Sequence, residues 1–372
     1  MNKLICHKIS GVWSHTMTWF GFVNQLFILV SMIIKSNKNK NKILVLDNFL
    51  TDINIRKFIP ISNIIDINKF NIFLQEHYNL EIYDKNNINF QIKSIKYGND
   101  KIKIDLTDEL KKYYDNNRLF ISKKIDLNKI KYDPIPYYPK KIYIEYSINN
   151  KEYEDTYDEY YNYLKEDVLY SFQQNDFILD TSGWWPLYNN RNVFDTILKN
   201  IVYQNEYNEI VKEFMKKIDK TKKINILHLR VEDDATNHWN KFNTLSNEDF
   251  KKKIEEKYIN LIEKYIDKND QNIILSYSTN NKVIEYLKTN NYKYFFIEKN
   301  VNMGREINAL IDFLISKECN NIFIGNFDMN NKNINGSTFS YLISIILEST
   351  VKQILITLEN INKKEDIYYN QK

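Results

Sequence analysis

Between residues 224 and 358 the chain alternates short, unbroken apolar runs with amphipathic stretches, and this alternation constrains the fold more than any other feature. Residues 224–229 (INILHL) form an apolar, β-branched run between a lysine cluster and a charged segment, the pattern of a strand buried on both faces. Phe250, Ile254, Tyr258, Leu261, Ile262 and Tyr265 then recur at helical spacing, with lysines and glutamates filling the other face. The same reading predicts strands over 273–275, 294–297, 321–324 and 353–358, and helices through 283–287, 306–315 and 341–347. Such alternation predicts a parallel sheet covered on both faces, a doubly wound α/β domain whose ligands bind beyond the carboxyl ends of its strands.

The first half opens the same way, with a strand over 4–9, a loop to Phe20, a helix over 24–34 and a strand over 43–46. Residues 52–139 alternate apolar and charged positions without an assignable order. A strand over 142–146, a helix over 157–172, a strand over 177–179, the breaker Gly183-Trp184-Trp185-Pro186 and a long helix over 193–215 follow. A chain of 372 residues exceeds a usual single core, so two α/β domains are expected, 1–190 with an irregular insertion at about 52–139, and 191–372.

Composition excludes some partners. Lysine plus arginine (52) nearly balances aspartate plus glutamate (48), and a net charge of +4 implies neither a nucleic-acid nor a membrane-surface partner. The abundance of Asn, Lys and Ile reads as the coding bias of an AT-rich genome. Residues 19–34 (WFGFVNQLFILVSMII) are strongly apolar, but they are shorter than the ~18–20 residues of a spanning helix and carry Asn24 and Gln25. A buried core helix is expected there, not a membrane span. No cationic leader precedes a cleavage-like site, and Cys6 and Cys319 fall in different expected domains, which together point to a reducing, cytoplasmic compartment.

Candidate chemistry sits at strand ends and helix starts. His228-Leu229-Arg230-Val231-Glu232-Asp233-Asp234 follows the strand at 224–229, and an arginine there offers a permanently charged fork to phosphate oxygens, or else forms a structural ion pair. Gly325-Asn326 ends another strand, and Gly336-Ser337-Thr338-Phe339-Ser340 opens a helix whose exposed N–H groups suit an anion, or are simply capped by serine. Gly21-Phe22-Val23-Asn24-Gln25 is a glycine-bearing turn before the first helix. Asp312 lies on an otherwise apolar helical stretch and needs a partner, either the paired N–H donors of a guanine or a basic side chain.

In order and type these features resemble the O-fucosyltransferase-like families. Those families carry a G-x-x-NQ-type loop, an LVLP-like strand (here Leu44-Val45-Leu46-Asp47, with aspartate in place of proline), HLR-x-E-x-D, a helical aspartate, an F-(I/V)-G-N strand end and an S-(S/T)-F-(S/T) helix start. The resemblance covers roughly residues 1–50 and 170–350. About ten extra residues separate Asn326 from Ser337, and the first loop supplies no acid to act as catalytic base.

The resemblance implies two Rossmann-like domains facing a cleft (GT-B type) and inverting transfer of fucose from GDP-fucose to a hydroxyl of a glycan or protein. It implies no tightly bound cofactor and no required divalent metal. Arg230 would bind the diphosphate and stabilise charge on the leaving group. His228, Leu229, Ser337, Thr338, Phe339 and Ser340 would form the donor site, and Gly21, Phe22, Val23 and Asn24 would approach the sugar. Asp312 would read the base, and Glu232 and Asp234 would support Arg230. Asp233-Asp234, without further visible ligands, makes a poor metal site. The same residues fit another donor, such as a rhamnose nucleotide, or an inactive carbohydrate- or protein-binding module.

Overall fold

The computed structural model describes residues 4–7, 21–38, 43–46, 48–52, 54–84, 86–111, 114–115, 118–119, 127–158, 187–328 and 335–369. The expected strand at 177–179 and the breaker at 183–186 lie outside these residues. The fold is mixed α/β. Its contacts divide it into two units, one built on Gln25–Leu50 and Phe58–Val202, the other on Gly21–Asn24, Thr51–Lys57 and Tyr203–Lys372.

In the first unit, strands β1 (Leu4–His7), β2 (Ile43–Leu46) and β3 (Glu81–Asp84) form a parallel sheet in that order, with helix α1 (Phe22–Lys38) between the first two and α2 (Ile67–Tyr78) before the third. Leu26, Phe27, Leu29, Val30 and Ile33 of α1 are fully buried. Gln25 is buried with them because its amide both donates to Leu50 O and accepts from Leu50 N, at 2.9 Å each. At 17 residues α1 is a core helix, and no helix among the described residues is long and apolar enough to cross a membrane.

The stretch that sequence patterning left unordered builds an antiparallel sheet from β4 (Phe90–Gly98), β5 (Lys103–Asp105), β6 (Lys141–Ile148) and β7 (Lys151–Asp158), in the order β7-β6-β4-β5. Asn149 and Asn150, at φ 47° and 68°, turn the β6–β7 hairpin, as a two-residue loop with positive φ requires. Tyr157 and Asp158 belong to β7, not to the helix expected over 157–172; the rest of that expected helix lies outside the described residues. The single helix expected over 193–215 is two, α3 (Leu187–Lys199) and α4 (Asn205–Met215). The break falls at Ile201-Val202-Tyr203, poor helix formers whose two outer side chains are buried and whose central carbonyl accepts from Asp66 N at 2.8 Å.

The second unit runs from α4 through β8 (Ile224–His228), α5 (Asp233–Asn240), α6 (Asn247–Tyr265), β9 (Gln271–Leu275), α7 (Lys282–Thr289), β10 (Tyr294–Phe295), α8 (Arg305–Ser316), β11 (Ile322–Gly325), α9 (Thr338–Ile346) and β12 (Lys352–Leu355) to β13 (Asp366–Tyr369). Its sheet has the order β10-β9-β8-β11-β12-β13, the doubly wound 3-2-1-4-5-6 arrangement. The first five strands are parallel. The sixth, unexpected from the sequence, is antiparallel and covers the β12 edge. Strand order reverses between β8 and β11, so a crevice for a ligand opens beyond their carboxyl ends. Leu227, Phe250, Ile254, Tyr258, Ile274, Ile324 and Ile354 form the core beneath it.

Candidate active site

The cavity lies within the second unit, beyond the tips of β8 and β9, with a volume of about 570 Å³. It begins with the period-two alternation of an extended chain, which continues past β8. Leu229 and Val231 turn into the hydrophobic core, while His228, Arg230 and Glu232 line the cavity. Leu229 therefore contributes its backbone, donating from N to Leu275 O at 3.0 Å, and not its side chain.

A buried phenol holds this strand tip in place. Tyr258 Oη on α6 donates to His228 O at 2.6 Å and accepts from Arg230 N at 3.3 Å and from Asn326 Nδ2 at the end of β11. Burial pushes the phenol upward, so it keeps its proton. One hydroxyl thus ties together the two strand ends that flank the switch point.

Ser340 sets the state of the histidine. Its Oγ accepts from Asn326 N at 2.9 Å and lies 2.6 Å from His228 Nδ1. A hydroxyl has one proton to give, and donating it to Nδ1 satisfies every group in the chain. That leaves the imidazole proton on Nε2. Burial, with the charges of Arg230 and Lys299, holds the imidazole well below its ordinary value of 6.5, so the ring is neutral at physiological pH. The Phe339 ring packs 5.0 Å from it, centroid to centroid. Ser337 caps α9, accepting from Ser340 N, and Ser337, Thr338 and Phe339 all line the cavity. Ser340 itself is fully buried behind them.

The charged groups come in pairs. Arg230 Nη1 lies 3.5 Å from Glu232 Oε2, and Glu232 Oε1 accepts from Tyr277 N at 3.1 Å and from the Ser276 hydroxyl at 3.4 Å. Asp312, 8% exposed on α8, takes the Lys299 ammonium on both carboxylate oxygens. Burial pushes the Asp312 carboxyl above its usual range, and Lys299 pulls it back. Asp233 pairs with Lys251 at 2.9 Å, and Asp234 lies in the first turn of α5.

The remaining wall comes from residues 21–24 and from Asp52, Asn54 and Ile55. Phe22 and Val23 are buried, Phe22 against Phe313 at 6.2 Å, and Asn24 Oδ1 is buried without a partner. Asp52 accepts from Asn54 N and Ile55 N on one oxygen and from Arg305 N on the other. Against a burial effect that would raise it, these donors and the Arg305 guanidinium hold its carboxyl below the usual range. Gly304, at φ 85°, lets the turn close on the start of α8, since a Cβ there would stand 2.5 Å from Thr51 O. Of the sequence candidates, Gly21, Phe22, Val23, Asn24, His228, Arg230, Glu232, Asp312, Ser337, Thr338 and Phe339 meet at this one cavity. Sequence reading missed Tyr258, Lys299, Glu306 and Asp52. Tyr258 reads as one more core position, and the others as ordinary surface charges.

No protein-family model matches the chain, and no curated protein matches it in sequence. Solved structures match it in fold. The fold is similar to that of the fucosyltransferase NodZ from Bradyrhizobium, over the whole of both chains, at 11% identity and a TM-score of 0.50. The NodZ α-1,6-fucosyltransferase co-crystallized with GDP aligns over 100% of this chain and 99% of that one, at 10% identity and a TM-score of 0.49. POFUT1 in complex with GDP aligns over 93% and 94%, at 13% identity and a TM-score of 0.46. The mixed α/β fold is thus similar to that of one solved fucosyltransferase, NodZ.

Proposed function

We propose that the protein is a glycosyltransferase that moves fucose from GDP-fucose to a hydroxyl of a protein or glycan acceptor, with inversion. The observation that carries this reading is the convergence of His228, Arg230, Asp312 and Ser337–Phe339 on one cavity at the switch point of a doubly wound sheet, in a fold similar to that of a fucosyltransferase. In this scheme Arg230, the His228 Nε2–H and the N–H groups opening α9 receive the diphosphate, stabilising charge as it grows on the leaving group. Asp312 accepts the N1–H and exocyclic amine of guanine, and Gly21–Asn24 meet the sugar. The arginine and the helix start neutralise the leaving group without a divalent metal. The finer reading, a GT-B enzyme of two Rossmann-like domains, draws support from the 3-2-1-4-5-6 order of the second unit and the parallel β1-β2-β3 sheet of the first.

A thermal-shift panel tests the donor. At about 100 times its dissociation constant, GDP stabilises by roughly 2.7 kcal/mol, while UDP gives no shift. The Lys299–Asp312 pair favours one alternative, a donor with another base, because Lys299 competes for the oxygens guanine needs. Equal shifts with GDP and UDP would establish that alternative, and no shift with any nucleotide would make the protein a non-catalytic binding module.

A further inference from the structure

Four carboxylates line the cavity: Asp52, Glu232, Glu306 and Asp312. Three are committed. Asp52 receives three backbone N–H groups, Glu232 lies against Arg230 and accepts from Ser276 and Tyr277, and Asp312 holds Lys299. Glu306 differs. Its Oε2 accepts from Phe22 N at 2.5 Å, but its Oε1 is buried with no hydrogen-bond partner, and Arg305 Nε stands 4.0 Å away. The residue is only 3% exposed. A buried acceptor left unsatisfied is costly, so a donor supplied by a ligand is the natural complement of Oε1.

A Cβ on Gly21 would stand 3.3 Å from Glu306 Oε2, so the carboxylate rests against the bare backbone of the very loop assigned to the sugar. Glu306 and Asp312 both line the cavity and are separated by six residues of α8, a rise of about 9 Å. A ligand whose base meets Asp312 therefore brings its sugar end toward Glu306.

We propose that Glu306 is the base of the transfer, accepting the proton of the attacking hydroxyl on Oε1; this rests on the fucosyl-transfer reading above. The acceptor oxygen forms its bond to the sugar C1 as its proton passes to Glu306. The C1–O bond to the diphosphate breaks with its electron pair, which leaves on GDP. The protonated carboxyl then returns its proton to solvent. The surroundings suit the task. Burial pushes the Glu306 carboxyl up, the Phe22 N–H and Arg305 draw it down, and Asp52 pushes it up again. A carboxylate raised toward the working pH is a stronger base than a free one.

The test compares Glu306→Gln with the wild type on GDP-fucose and two nucleophiles: water, which must lose a proton, and azide, which is already an anion. Glutamine keeps an acceptor for Phe22 N. The variant is expected to show the wild-type thermal shift with GDP, to release GDP in water about 10²–10⁴ times more slowly, and to form glycosyl azide within a few-fold of the wild-type rate. Undiminished hydrolysis, or an equal loss with water and azide, would overturn the assignment. A wild type that binds GDP yet releases none from GDP-fucose, with either nucleophile, would overturn the transfer reading and the base with it.

Discussion

Removing the Tyr258 hydroxyl should loosen the whole strand tip while leaving the core intact. Tyr258→Phe keeps the ring that packs among Leu227, Ile274 and Ile324, and deletes one oxygen. That oxygen serves His228 O at 2.6 Å, Arg230 N at 3.3 Å and Asn326 Nδ2, all drawn from elements bordering the cavity. At about 1 kcal/mol for each bond, with an added penalty for groups left buried and unpaired, the loss is about 2–4 kcal/mol. A cooperative unit of this size shifts by about 2–4 °C for each kcal/mol, so the melting temperature should fall by about 5–15 °C. Scanning fluorimetry with and without GDP measures both consequences, because Arg230 loses an anchor and the GDP-induced shift should shrink. A double-mutant cycle with Asn326→Ala should show coupling of about 1 kcal/mol, since the two side chains share one bond. A Tm within 1 °C of wild type, with an undiminished GDP shift, would refute the role given to the hydroxyl.

Arg230→Ala should lower the rate by about 10²–10³, a transition-state cost on the order of 2–4 kcal/mol, with the fold retained; loss of soluble protein would make Arg230 a structural ion pair instead. Lys299→Met should destabilise by about 2 kcal/mol at neutral pH, below the ~3–5 of a fully buried pair because Lys299 is partly exposed. Asp312 already has a raised folded-state pKa, so its contribution is greatest in acid and lost as pH rises through that value. The variant raises it further, and its deficit in pH-dependent melting should narrow as the pH falls toward the ordinary 3.8; a deficit independent of pH would show that the pair is not electrostatic. We further propose a reducing, cytoplasmic setting. Secretion should glycosylate Asn335 in Asn335-Gly336-Ser337, beside the start of α9, and weaken GDP binding; a secreted, glycosylated protein with full affinity would contradict this.

The parallel sheet of the second unit is legible because its strands are buried on both faces and read as unbroken apolar runs, while its helices carry one apolar face each. The cavity-lining candidates at the tip of β8, His228 and Arg230, are legible by position alone. The β4 strand is not. Its register against β6 shifts near Glu145 and Tyr146, where Ser94 and Ile92 are paired and Lys93 is skipped. This bulge puts Ile92 and Ile95, three apart, on one core and mimics helical spacing. Tyr258 shows the other limit: periodicity places it in the core correctly but says nothing of where its hydroxyl reaches. Glu306 sits where an acid favours any helix start, so its contact with Phe22, 284 residues away, leaves no local trace.

That distance has a consequence for how the protein is made. The unit holding the cavity takes Gly21–Asn24 and Thr51–Lys57 from the opposite end of the chain. At a synthesis rate of about 5–20 residues per second, Phe22 emerges roughly 15–60 s before the carboxylate that receives its N–H exists. Until then the first turn of α1 lacks that acceptor, and the closure that follows spans most of the sequence, a slow class of contact. A nascent chain stopped short of α8 has no complete cavity, and neither does a fragment starting at Tyr203. A complete cavity therefore requires translation past the start of α9, on a chain that retains residues 21–24 and 51–57.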